Sequence, residues 1–132
     1  MKDYISPYSD EEIAKAIVDC AFSIHNQYGP GLLEKPYQEI LAYEIDKLGF
    51  LTEKEVLLPI VHDNIIIHHG YRMDIWIEKR IVIEVKAVEA LTDVHLAQVL
   101  HYLKLTSNRI GLLINFNVTN IGKGIKRVVN GY

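Results

Sequence analysis

Residues 71–77 (YRMDIWI) and 80–86 (RIVIEVK) are two apolar runs separated only by Glu78-Lys79. Runs of this length, rich in β-branched and aromatic residues, fold as neighbouring antiparallel strands. They also carry charges where a buried sheet should hold none. On the first strand Met73, Ile75 and Ile77 share one face and Arg72, Asp74 and Trp76 the other; on the second, Ile81, Ile83 and Val85 oppose Val82, Glu84 and Lys86. Directly paired antiparallel residues point to the same side. A connection with an odd residue count centred near Lys79 therefore sets Asp74 opposite Glu84, with Cβ atoms about 4.5–5.5 Å apart. A two-residue turn would send the two acids to opposite faces, so the pair requires a three-residue turn or an equivalent bulge.

The flanking sequence supplies helices and further strands. Ser9 and Glu12 have capping-box spacing, and Ile13, Ile17, Cys20, Ala21 and Ile24 repeat at helical steps until Gly29-Pro30-Gly31 stops the helix near Tyr28. Cys20 is read as a small core residue. A second helix is predicted from about Leu33 to Leu48, with Pro36 in its first turn and Gly49 as its stop. Residues 50–61 and 64–69 are short β-rich runs broken by the turn-like His62-Asp63-Asn64. Thr92 and Asp93 open a third helix to about Leu105, Arg109–Phe116 is a buried strand, and Lys123–Val129 is a short edge strand. The order α-α-β-β-β-β-α-β, without repeats or linkers, predicts one α/β domain over residues 1–132 with a mixed sheet flanked by helices.

Two facing carboxylates in an apolar sheet repel unless one is protonated or a cation lies between them. A hard divalent ion with oxygen ligands, Mg²⁺ or Mn²⁺, answers that repulsion. Lys86, on the same face two residues on, can steer or deprotonate an attacking water and offset developing negative charge. Asp74 with Glu84-x-Lys86 thus has the composition of a metal-assisted hydrolysis unit. An exposed strand face with ordinary surface charges gives the same spacing.

The 14 Lys+Arg and 17 Asp+Glu leave a formal charge of −3. That excludes a wholly basic nucleic-acid coat protein and leaves a nucleic-acid enzyme possible. One cysteine excludes a disulfide framework and a thiolate zinc site, and no histidine pair has ligand spacing. No apolar run approaches the ~20 residues of a membrane span, and the N-terminus lacks a signal-peptide core, so a soluble cytoplasmic protein is expected.

Asp74 followed by Glu84-Val85-Lys86 resembles the PD-(D/E)xK nuclease signature, with Met73 in place of the preceding proline. Gly31-Leu32-Leu33-Glu34-Lys35-Pro36-Tyr37 is similar to the GxxExxY pattern of one family in that superfamily, and the segments 70–74, 84–91 and 111–116 are similar too. The resemblance implies a restriction-endonuclease-like three-layer core. It further implies that Asp74, Glu84 and the Val85 carbonyl hold the metal, with Glu34 as a further acid from the first core helix and Lys86 beside the water. Glu34 also suits a helix first turn without any catalytic role. Gln98 and Tyr102, four apart on the third helix, resemble an additional motif of the exonuclease branch that flanks the active site. His95 lies one turn earlier and could reach a phosphate.

The expected function is a Mg²⁺- or Mn²⁺-dependent nuclease acting on DNA, or else RNA, as a possible homodimer. Two rivals are a non-catalytic nucleic-acid-binding or assembly module on the same fold, and an α/β protein in which these residues form a surface ion-pair network.

Overall fold

The computed structural model describes residues 4–131. Helix α1 (Asp10–Tyr28) starts at the Ser9/Glu12 capping box and ends at Gly29, whose φ of 67° is costly for a residue with a Cβ. Helix α2 (Glu34–Lys47) follows the glycine turn. That turn is braced by Tyr37, whose hydroxyl donates to the Gly29 carbonyl and accepts from the Leu32 N–H. The next elements are β1 (Thr52–His62), β2 (Ile65–Ile77), β3 (Ile81–Lys86), α3 (Asp93–Thr106), β4 (Ile110–Asn115), the one-turn α4 (Ile121–Gly124) and β5 (Ile125–Val129).

The five strands form one mixed sheet in the order β1-β2-β3-β4-β5, parallel only between β3 and β4. Helices cover both faces. The apolar stripes of α1 and α2 pack on Ile75, Ile77, Ile81, Ile83, Val85, Leu112 and Ile114. On the other side α3 packs Val99, Tyr102 and Leu103 against Met73, Val82 and Leu113. Strand β3 is therefore buried on both faces, and Glu84 with it. The restriction-endonuclease-like α/β architecture is the one expected from the sequence.

Three details depart from expectation. The runs at 64–69 and 71–77 are one continuous strand, β2, so three strands precede α3 and the tail supplies the fifth. Continuity is possible because Gly70 lets the chain pass under Ile60: a Cβ there would come within 2.3 Å of the Ile60 side chain. The pairing register slips nearby, between Leu58 and Ile60, where residues 68–70 of β2 stand against Pro59 alone. Second, Met73 joins the α3-side core instead of the face of Ile75 and Ile77. Regular pairing with β1 lapses at Asp74, opposite Glu55 with its φ of 52°, and the alternation of faces lapses with it. Third, Cys20 is only partly buried, at the margin of the core.

The β2–β3 connection is the three-residue turn that the acid pair requires. Ile77 pairs with Ile81, and Glu78, Lys79 and Arg80 lie between them. Glu78 is buried and accepts hydrogen bonds from the Tyr4 and Ser6 hydroxyls and the Leu51 N–H. Arg80 donates to the Tyr8 carbonyl and pairs with Asp10 at 2.6 Å. Burial tends to raise the Glu78 carboxyl, but the hydrogen bonds from Ser6, Tyr4 and Leu51, with Arg80 nearby, outweigh it and hold the group below its ordinary value. Glu78→Ala is expected to destabilise the protein by about 2–4 kcal/mol in urea unfolding, since it strands the Leu51 N–H and removes charge-assisted bonds. A depressed carboxylate stabilises the fold above its unfolded pKa and loses that contribution as pH falls. The gap between wild type and Glu78→Gln should therefore be open near neutral pH and shrink below about pH 4.5.

Candidate active site

The strands part just beyond the turn. Ladder pairing between β2 and β3 ends at Ile75 and Ile83, and the next two residues, Asp74 and Glu84, replace it with side-chain bonds. The Asp74 N–H donates to Glu84 Oε1 at 3.0 Å, and the Val85 N–H donates to Asp74 Oδ2 at 2.8 Å. Each carboxylate thus orients the backbone that carries the other. The oxygens left over are Asp74 Oδ1 and Glu84 Oε2, the latter 3.8 Å from the Lys86 ammonium. The N–H and carbonyl of a strand residue project to the same edge, so the Val85 carbonyl faces this gap as well.

An open cleft of about 320 Å³ lies over the pair. Glu34, Arg72, Asp74, Glu84, Lys86, Gln98 and Tyr102 all line it, together with the β2 stretch from His69 to Tyr71. Of the side chains singled out in the sequence, Glu34, Asp74, Glu84, Lys86, Gln98 and Tyr102 share this cleft. Glu34 reaches it because it is the first residue of α2, and Gln98 and Tyr102 reach it from one face of α3. A larger concavity, of about 420 Å³, lies between α1 and α2 and contains no buried acid pair.

The roles of neighbouring groups differ from simple proximity. The Tyr102 hydroxyl donates to the Arg72 carbonyl at 3.0 Å and so braces β2 where its pairing lapses; burial, then the charges of Glu84 and Asp74, pushes its phenol well above the ordinary range. His95 does not line the cleft. Its Nδ1 accepts from the Thr92 N–H and closes the capping box of α3. Gln38 and Asn115 are buried polar residues with positioning contacts. Gln38 donates to the Asp74 carbonyl at 3.3 Å. Asn115 makes a two-bond clasp with the Val88 backbone, which fixes the loop leaving Lys86. Neither was singled out in the sequence: the signal for Gln38 is a polar residue on the buried side of α2 beside Leu41, Ala42 and Ile45, whereas Asn115 gave none beyond ending an apolar strand.

The electrostatics of the pair are unfavourable without a cation. Burial raises the Asp74 carboxyl, against the lowering effects of the Val85 N–H and Lys86. Burial and then the Asp74 charge push Glu84 up to about 8. One ammonium 3.8 Å away does not cancel two desolvated carboxylates. Two hard oxygen donors with uncompensated charge, beside a strand carbonyl, fit a Mg²⁺- or Mn²⁺-sized ion. The donor set is open, however: among the described residues no three His, Cys, Asp or Glu side chains close into a metal cage. Glu34 belongs to the cleft without completing such a cage.

A carboxyl raised by folding stabilises the protein below its unfolded pKa and loses that contribution as pH rises through the folded value. Metal-free wild type should therefore lose stability between about pH 4.5 and 8 relative to Glu84→Gln. Melting curves in chelator should show the variant gaining on wild type by several degrees across that window; parallel curves would contradict the buried charge pair.

A family model of the PD-(D/E)XK nuclease superfamily matches residues 11–128. No curated protein and no solved structure matches the chain. The match spans both helical layers and all but the last residue of the sheet, and within it lie the paired acids and the lysine two residues on. On that match and that geometry together, the chain belongs to the PD-(D/E)XK nuclease superfamily.

Proposed function

We propose that the protein is a divalent-metal-dependent nuclease that hydrolyses phosphodiester bonds in DNA, with RNA as the other candidate substrate, and that it belongs to the GxxExxY branch of its superfamily. The observation that carries this reading is the reciprocal Asp74–Glu84 pair with Lys86 beside it, buried at its base and open to a cleft.

In this reading Asp74, Glu84 and the Val85 carbonyl hold Mg²⁺ or Mn²⁺, with Glu34 as an outer acid. When bound, such an ion polarises a phosphoryl oxygen and lowers the pKa of water. The chain's own residues do the rest. Lys86 holds its ammonium beside the water position, where it orients the nucleophile and offsets charge that develops on the phosphoryl oxygens. Gln98 offers an amide to the same cleft. Tyr102 keeps β2 in place through the Arg72 carbonyl, and the apolar layers on both faces of β3 exclude bulk water from the carboxylates. Arg72, exposed at the cleft, is a cation available to a phosphate of the bound strand. A homodimer suits a core this small acting on a duplex.

Asp74→Ala and Lys86→Ala should each lower cleavage by ~10²–10³-fold or more with the fold retained. Wild type that leaves single- and double-stranded DNA and RNA intact in millimolar Mg²⁺ or Mn²⁺ would overturn the enzyme reading. Salt-dependent binding without turnover would select the non-catalytic module instead. Metal alone gives an independent check: it should raise the melting temperature of wild type and not of Asp74→Asn/Glu84→Gln. Glu34→Gln should raise the metal concentration needed for half-maximal cleavage; an effect on melting temperature alone would assign Glu34 to the helix dipole.

A further inference from the structure

Beyond the turn and the cleft, β1 and β2 continue as a two-stranded arm. Strand β3 pairs with β2 only from Ile75 to Ile77, whereas the β1–β2 ladder runs on to His62 and Ile65. All nine residues from 61 to 69 are exposed. Their composition is unusual for an exposed arm: Val61 is 67% exposed, Ile65 and Ile66 56% each, and Ile67 45%. The apolar residues occupy both faces, since the Val61–Ile66 pair alternates with the His62–Ile65 and Ile60–Ile67 pairs. A two-stranded hairpin with no third strand is marginal in water, and an apolar ribbon with a free edge pairs readily with another strand.

The arm indicates its occupant. From Val56 to Tyr71 there is no lysine or arginine, so the arm is not built to follow a phosphate backbone. Its only charged or cation-capable groups are Asp63 at the tip and the three imidazoles of His62, His68 and His69. The outer edge of β1 is blunted by Pro59, which offers no N–H, while the outer edge of β2 carries no such block. We propose that the β2 edge of this arm, centred on Ile66, is the contact between two copies of the chain, paired antiparallel about a two-fold axis.

An isologous contact sets a segment against itself, which a cationic arm could not tolerate and this one can. With Ile66 on the axis, Ile65 of one copy lies beside Ile67 of the other, and the Asp63 acid of each meets His68-His69 of its partner. Each arm thereby gains the strands that make a hairpin stable, and backbone hydrogen bonds supply affinity where the side-chain area is small. Asp74 and Lys86 lie outside this contact, which borders the cleft only at His69.

Sedimentation of the full chain over a wide concentration range tests the contact. Wild type should sediment as a dimer. Ile66→Lys, which brings two ammoniums together at the axis, should raise the dimer dissociation constant on the order of 100-fold. Val129→Lys, at an exposed position of β5 on the opposite edge of the sheet, should leave it unchanged. Should Ile66→Lys unfold by circular dichroism, the Ile66→Cys protein in a Cys20→Ala background decides: with oxidised glutathione it should form a covalent dimer through a single self-paired disulfide. A wild-type monomer at every concentration, a dimer indifferent to Ile66→Lys, or no crosslink at position 66 would each overturn the proposal.

Discussion

The turn from β2 to β3 is the constraint on which the rest of the site rests. Its three residues set Ile77 against Ile81, and that parity carries Asp74 and Glu84 to the same cleft. A turn so close to buried charge needs its own fastening, because the carboxylates just beyond it push the strands apart. Glu78 and Arg80 provide the fastening by binding the N-terminal segment and the start of α1. The hydrogen bonds that stabilise Glu78 and the desolvation that strains Glu84 are opposite uses of the same residue type, six positions apart on one hairpin.

The price of placing two acids inside a sheet is visible in the local backbone. Ladder pairing lapses on both sides of Asp74, and the lost backbone bonds reappear as carboxylate-to-N–H bonds. The strands remain tied, but through groups whose free oxygens face the cleft. Tyr102 and Gln38 brace the same stretch from α3 and α2 through the Arg72 and Asp74 carbonyls. The helices on the two faces of the sheet therefore hold the acids in place as well as covering the core. The formal charge of −3 bears little on the substrate, because three of the acids are gathered at one cleft where a cation would offset them.

Much of this was legible in residue pattern. The capping box at Ser9, the glycine turn before α2 and the apolar runs of β3 and β4 each have a local cause and appear where that cause puts them. The acid pair with its lysine was legible because charge inside an apolar run has few structural explanations. Met73 was assigned to the wrong face because period-two alternation presumes unbroken pairing, which fails at Asp74. His95 stood at the right helical spacing for the cleft, yet its ring is engaged by the Thr92 N–H in a local cap. The split of β2 into two runs fell at Gly70, which in the fold interrupts nothing and gives Ile60 room to cross.

The sequence by itself determined the three long helices, the buried strands and the identity of the acids and lysine at the cleft, because each follows from periodicity or from a charge in an apolar context within a few residues. Only the tertiary structure decided which oxygens are occupied and which are free, that Gln38, Asn115 and Tyr102 act as braces, and that the β1–β2 arm extends beyond the sheet. Those properties depend on contacts between segments 27 to 36 residues apart in the chain and on where β3 ends relative to β2, and no local pattern records either distance.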